Sequence, residues 1–97
     1  MHVVIFEVEP HREGRQQYLD LAAELRPELE KMDGFISIER FASLTNDGKV
    51  LSLSFWRDEA AVSRWREHER HRVAQQRGRS TLFANYRIRV AEVLRDY

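Results

Sequence analysis

The fold is decided by the stretch GFISIERFASLTNDGKVLSLSFW, residues 34–56. Ile36 and Ile38 alternate with polar neighbours in its first part, and leucines alternate with serines at residues 50–56, which is the period of two expected of β-strands. Between these parts lies Asn46-Asp47-Gly48, whose residue types tolerate the positive φ angles of tight hairpin turns. The stretch predicts two antiparallel strands that are neighbours in one sheet.

Helices are expected on both sides of this hairpin. From about residue 14 to residue 32, apolar side chains recur every three or four positions, as on one face of a helix. Pro27 lies inside this pattern, and because proline lacks a backbone N–H we expect a kink or break there. After the hairpin, Asp58 is the expected N-cap of a second helix, and a further helical piece is expected at residues 69–77.

Two more β-rich segments flank the helices. The nearly continuous apolar run at residues 2–9 predicts a central strand that ends at Pro10. Residues 81–94 alternate between an apolar and a basic face, and a change of phase at Ala91 predicts a bulge or a passage onto a different neighbouring strand. The resulting order β-α-β-β-α-β predicts an α+β, ferredoxin-like fold with the helices on one face of an antiparallel sheet.

The second face of the predicted sheet is also apolar and needs a cover. A chain of 97 residues buries only about 60–65% of its unfolded surface, and all its helical segments are already assigned to the first face. We therefore expect a homodimer in which a second copy covers this face.

Composition excludes several classes of function. The chain has 16 basic and 16 acidic side chains and no cysteine. It therefore has no disulfide framework, thiol catalysis or cysteine-ligated metal. Without a basic excess, and without the exposed strand aromatics of RNA recognition motifs, it is not expected to bind nucleic acid. No long apolar segment or signal peptide is present, so we expect a cytoplasmic protein that does not bind membranes.

The charges are nevertheless distributed unevenly. Residues 7–30 contain seven acidic side chains and three arginines, whereas residues 57–79 contain seven arginines and four acidic side chains. Solvated helix faces explain this pattern most simply. The alternative is a pair of complementary surfaces, or a basic rim around a pocket for an anionic or quinone-like ligand.

The candidate site residues are histidines and aromatic residues near the second helix and the last strand. His68 and His71 are three residues apart, but they have no third ligand at a confirming distance, so no metal site is expected. Trp65 belongs to the apolar stripe of its helix and is either a core residue or a pocket residue. The other candidates for an apolar pocket with a few polar groups are Trp56, Phe83, Asn85, Tyr86 and Arg87.

Three blocks of sequence together are characteristic of one family. They are residues 34–41 (GFISIERF) with 53–61 (LSFWRDEAA), Trp65-Arg66 followed by His68, His71 and Ala74-Gln75, and residues 86–97 (YRIRVAEVLRDY). The combination resembles the antibiotic biosynthesis monooxygenase (ABM) domain family. The resemblance implies that residues 1–97 form a single ABM-like domain of a dimeric α+β barrel, with a pocket between sheet and helices.

The resemblance also implies a chemistry. Related proteins oxidise aromatic polyketides to quinones without metal or flavin, because the deprotonated substrate itself activates oxygen. Trp65 matches the family tryptophan assigned to substrate contact, but the family asparagine one turn earlier is Ala61 here. Other relatives degrade haem with a strand-one asparagine, the same tryptophan and an axial histidine whose position is Gln75 in this chain.

Three hypotheses follow. The first is a cofactor-independent monooxygenase acting on an aromatic or quinone-type molecule. In this hypothesis Trp65 contacts the substrate and His71 or His68 accepts a proton. Two further side chains stabilise an oxyanion, namely Asn85 and Arg87. The second is a haem-binding or haem-degrading monooxygenase, with haem as its cofactor. The third is a non-catalytic dimeric ligand-binding module in which Trp65 is purely structural.

Overall fold

The computed structural model describes residues 1–10, 12–74 and 83–97. The elements, in chain order, are β1 (His2–Pro10), a 3-10 turn (Arg12–Gly14), α1 (Arg15–Glu30), β2 (Phe35–Ala42), β3 (Val50–Trp56), α2 (Glu59–Ala74) and β4 (Phe83–Glu92). This is the β-α-β-β-α-β order of a ferredoxin-like α+β fold, so the predicted fold class is confirmed.

The four strands form one antiparallel sheet in the order β2-β3-β1-β4. β1 is an interior strand, as its continuous apolar run predicts. The bulge predicted at Ala91 is wrong, because β4 pairs with β1 without interruption from Asn85 to Glu92. The register shifts instead at Glu9/Pro10, where proline has no N–H with which to continue the ladder.

The predicted hairpin is confirmed. Its turn is closed by a hydrogen bond from the Lys49 N–H to the Asn46 carbonyl (3.1 Å), and Gly48 has a φ of 85°. β2 contains a bulge that the alternating sequence does not reveal: its register shifts between Phe35 and Ser37. The shift leaves Ile36 exposed, whereas Ile38 packs against the core.

α1 is one continuous helix, so of the kink or break predicted at Pro27 the break does not occur. Pro27 and Ala23 both lie on the exposed side of α1. In a regular helix the Ala23 carbonyl accepts a hydrogen bond from the N–H of residue 27, which proline lacks. Because Ala23 is exposed, water can supply this hydrogen bond instead. The buried side of α1 carries Tyr18, Leu21, Leu25 and Leu29.

α2 is also a single helix, so the division into two helical pieces is wrong for the described residues. No glycine or proline occurs between Glu59 and Ala74 to interrupt it. Asp58 is its N-cap, as predicted, and accepts a hydrogen bond from the Ala61 N–H (2.9 Å). The predicted continuation at residues 75–77 lies outside the described residues.

Both helices cover the same face of the sheet. The larger core cluster joins α1, α2 and the end of β3, and consists of Leu21, Leu25, Leu29, Trp56, Ala61, Val62 and Trp65. A smaller core cluster joins β1, α1 and β3, and consists of Val8, Tyr18 and Val50. No helix in the described part of the chain is both long and apolar enough to cross a membrane.

Candidate active site

The helix-covered face of β3 is lined by small polar side chains. Ser52 and Ser54 are buried on this face, between Val50 and Trp56, while the leucines of β3 point to the other side. A serine occupies much less volume than the valine or leucine that usually fills a covered sheet face. The side chains of this strip therefore fill less of the layer between sheet and helices than aliphatic side chains would.

Trp65 and Trp56 lie at one end of this strip. Their rings are stacked, with centroids 6.4 Å apart and planes inclined by 26°. Trp56 is fully buried, and its indole N–H donates to the Ser54 hydroxyl at 3.0 Å, so this polar group of the core is satisfied. The structure thus brings together two of the predicted site residues, and Trp56 serves as the packing support of Trp65.

His68 lies one turn after Trp65, with the two ring centroids 5.5 Å apart. Its Nε2 atom is 3.0 Å from the Glu28 carboxylate of α1, and Arg72 donates to the same carboxylate at 3.2 Å. Arg72 also donates to Glu24 at 3.3 Å. The acidic first helix and the arginine-rich second helix are therefore complementary surfaces of the same chain, and they face each other across the α1–α2 contact.

The remaining candidates are distributed over several places. His71 is exposed on α2. Tyr86 is on the helix-covered face of β4, opposite Val8, but 60% of it is exposed. Its ring centroid is 6.2 Å from that of Phe6, in an edge-to-face arrangement. Phe83 begins β4, and its side chain is outside the described part of the structure.

Asn85 and Arg87 lie on the opposite face of the sheet, so they do not belong to one site with Trp65. In the β1–β4 register Asn85 pairs with Glu9 and Arg87 pairs with Glu7, on either side of the inward-facing Tyr86. Side chains alternate between the two faces of a strand, so neighbours of an inward residue point outward. The two residues instead line a cavity of about 200 Å³, together with Glu7 and Lys49.

Two residues that the sequence did not single out lie between the sheet and α2, on the same side as Trp65. Glu69 follows Trp65 by one helical turn and is half-buried. Burial raises the pKa of the Glu69 carboxyl, and the positive charges of Arg66 and Arg40 only partly oppose this rise. Arg40 pairs with Ser52 on the helix-covered face of β2, and its Nε atom is buried without a hydrogen-bond partner in the described structure.

The position of the family asparagine is closely packed. Ala61 is fully buried, and a β-carbon added to Gly34 would lie 2.6 Å from the Ala61 β-carbon. Arg57 holds this turn by donating to both oxygens of Asp33, at 3.1 and 3.0 Å, which lowers the pKa of Asp33. The described residues contain no group of three or more side chains able to hold a metal ion.

The fold and the site define a class: a ferredoxin-like α+β domain with a tryptophan and a serine-lined strip beneath its second helix. Residues 1–77 match the family described as antibiotic biosynthesis monooxygenase. The chain therefore belongs to the antibiotic biosynthesis monooxygenase family.

The chain is similar to the jasmonate monooxygenase ABM of Pyricularia oryzae, with 46% identity over 93 residues. This match covers 96% of the chain but 43% of that protein, so the chain spans less than half the length of this relative.

Two solved structures from Mycobacterium tuberculosis share the fold. Rv0793 superimposes with a TM-score of 0.80 at 17% identity, covering 98% of this chain and 96% of that one. The heme-degrader MhuD, with two hemes bound in its active site, superimposes with a TM-score of 0.77 at 15% identity. This match covers 100% of this chain and 99% of that one. At these identities the likeness shows the fold alone.

Proposed function

We propose that this chain is a monooxygenase that oxidises an aromatic or quinone-type small molecule without metal or flavin. The observation that carries the proposal is the position of Trp65, which lies on the sheet side of α2 next to the serine-lined strip of β3. A flat aromatic substrate would lie against this tryptophan, and the sheet and helix would keep water away from it.

The chemistry requires little from the protein. An anthrone-type substrate loses a proton, and its electron-rich anion reduces oxygen directly. One oxygen atom becomes the new carbonyl, the other leaves as water, and the two hydrogens of the reacting carbon end in that water. The protein must bind the substrate, accept its proton and stabilise the resulting anion.

Oxygen uptake tests the proposal. The purified protein is mixed with an anthrone-type substrate in air, and uptake and quinone absorbance are recorded against a protein-free control. We expect Trp65→Phe to lower the rate at least about tenfold, since binding and orientation of the ring depend on the indole. Tyr97→Phe, a change at a fully exposed residue, is the matched control. A rate that is unaffected by Trp65→Phe would contradict the proposal.

We also propose that the active form is a homodimer. The uncovered face of the sheet carries a cluster of half-buried apolar side chains: Val3, Ile5, Leu51, Leu53 and Phe55. Phe41 extends this cluster on β2 and is 43% exposed. An apolar sheet face of this kind is stabilised when another apolar surface covers it, and a second copy presents a matching one.

Haem is the alternative ligand, and His68, whose ring centroid is 5.5 Å from that of Trp65, is a candidate axial ligand. Its Nε2 atom is already hydrogen-bonded to Glu28, so ligation through this atom would break the contact between α1 and α2. A haem site centred on His68 therefore does not fit the side chains present. A haemin titration tests this conclusion: a Soret band that disappears in His68→Ala would overturn it.

A further inference from the structure

Glu69 lies on the sheet side of α2. The residues that precede it on this side are Val62 and Trp65, at intervals of three and four positions, and both are buried. Glu67 and Arg70, on either side of this line, are exposed. The helical period therefore directs the Glu69 side chain towards the sheet, on the same side of α2 as Trp65.

Arg40 lies on the face of the sheet that the helices cover. It pairs with Ser52, whose side chain is buried beneath α2, whereas its neighbours Glu39 and Phe41 pair with the outward-facing leucines. Ile38, two residues earlier on this face, packs against the core cluster that contains Trp65. A basic side chain on the covered face of a sheet is costly, since its buried Nε–H has no acceptor in the described structure.

The two groups act on each other electrostatically without forming an ion pair. Arg40 on β2 and Arg66 on α2 are the charges that lower the Glu69 pKa, and burial, which raises it, is the larger effect. Within the described residues, no ion pair shorter than 4.0 Å involves Glu69. An acid on α2 and a base on β2 thus lie on the facing surfaces of helix and sheet, where their charges interact without forming an ion pair.

We propose that Glu69 and Arg40 form the polar end of the substrate site, which takes a phenol or enol whose ring lies against Trp65. The Glu69 carboxylate accepts the hydroxyl proton. The O–H bond breaks, its electron pair stays on the substrate oxygen, and the Arg40 guanidinium donates to that oxyanion. This inference rests on the proposed function and assigns the proton acceptor to Glu69 in place of the two histidines.

The chemistry of the three candidate acceptors favours Glu69. The His68 Nε2 atom is held by Glu28, and His71 is exposed. A carboxylate whose pKa is raised by burial is a stronger base than one in water, and a ligand that brings an acidic proton relieves its buried charge. When the ligand binds, its oxygen supplies the hydrogen-bond acceptor that the Arg40 Nε–H lacks.

Proton uptake on binding tests the assignment separately from oxygen chemistry. The probe is alizarin, a dihydroxyanthraquinone whose colour reports its ionisation and which does not react with air. At about pH 8 the probe binds as an anion, and binding forces Glu69 to take up about one proton per probe molecule. Calorimetry in two buffers of different ionisation enthalpy measures this number, and the absorbance titration gives the affinity.

The variants separate the roles. We expect Glu69→Gln to reduce the proton uptake to about zero, while Glu67→Gln, the same change at an exposed position of α2, leaves it unaltered. We expect Arg40→Gln to weaken probe binding at least about tenfold, because the oxyanion loses its charged donor. His68→Gln is expected to keep the uptake of the unmodified protein.

The outcomes also distinguish this inference from the proposed function. Proton uptake that persists in Glu69→Gln, or that disappears in His68→Gln, overturns the assignment even if the protein consumes oxygen. Absence of probe binding to the unmodified protein overturns it as well. Uptake that depends on Glu69 in a protein that consumes no oxygen with anthrones supports the site and contradicts the monooxygenase proposal alone.

Discussion

Gly34 approaches Ala61 so closely that a β-carbon at position 34 would lie 2.6 Å from the β-carbon of Ala61. This contact joins the turn before β2 to the first turn of α2. Gly34 also has a φ of 90°, which side chains disfavour. The position of α2, and with it the position of Trp65, depends on the absence of a side chain at residue 34.

The first prediction concerns this contact. We expect Gly34→Ala to lower the free energy of unfolding by about 2–4 kcal/mol, the sum of the strained backbone and an overpacked core. Gly48→Ala is the matched control, because Gly48 has a φ of 85° but no atoms within 4 Å of an added β-carbon. It should cost only about 1–2 kcal/mol. Urea unfolding measures both variants. If Gly34→Ala and Gly48→Ala lose the same unfolding free energy, the Gly34–Ala61 contact does not limit the packing.

The second prediction concerns the residue that replaces the family asparagine. Ala61 is fully buried, so Ala61→Asn should cost about 2–5 kcal/mol through overpacking and an unsatisfied amide. Ala60→Asn, one position earlier on the exposed side of α2, should cost less than about 1 kcal/mol. Thermal unfolding followed by circular dichroism measures both. An Ala61→Asn variant as stable as Ala60→Asn would show that the asparagine of the relatives fits here.

The sequence was sufficient for the fold because its signals are local. Asp58 caps α2 and Gly48 closes the hairpin as their residue types predict, and the apolar run of β1 identifies an interior strand. One error arises where solvent exposure decides the outcome. Pro27 is tolerated because it lies on the exposed side of α1.

The site was less predictable because it depends on which face of a strand the helices cover. Asn85 and Arg87 follow Trp65 in sequence and have suitable chemistry, but the β1–β4 register places them behind the sheet. Glu69 and Arg40 resemble the many other charged residues of the chain. Only the burial of the Arg40 Nε atom and the position of Glu69 after Trp65 distinguish them.

The third prediction concerns the uncovered sheet face. Size measurement at micromolar concentration should give about twice the monomer mass of 11.6 kDa, because in the homodimer that we propose a second copy covers the apolar cluster. Leu53→Asp places a charge in this cluster and should shift the protein towards the monomer. Leu44→Asp, at a fully exposed residue, is the matched control and should leave the mass unchanged. A clean monomer for the unmodified chain would contradict the homodimer.

The fourth prediction concerns stability and pH. The pKa of Glu69 in the folded protein is raised above its ordinary value of 4.5, so the folded state holds this proton more tightly than the unfolded state does. Stability linked to Glu69 is therefore complete below the ordinary pKa and is lost as the pH rises through the raised one. The charged groups that act on Glu69 are Arg66 on α2 and Arg40 on β2.

Glu69→Gln removes the buried charge and keeps the shape of the side chain. We expect it to raise the melting temperature at about pH 7.5 and to have little effect at about pH 4, where the carboxyl is protonated in both states. Glu67→Gln should change the melting temperature by the same small amount at both pH values, because that residue is exposed. A gain of Glu69→Gln that is equal at the two pH values would mean that the carboxylate is not desolvated. Since a binding site often sacrifices stability for a reactive group, a gain confined to neutral pH is the pattern expected if Glu69 is kept for its chemistry.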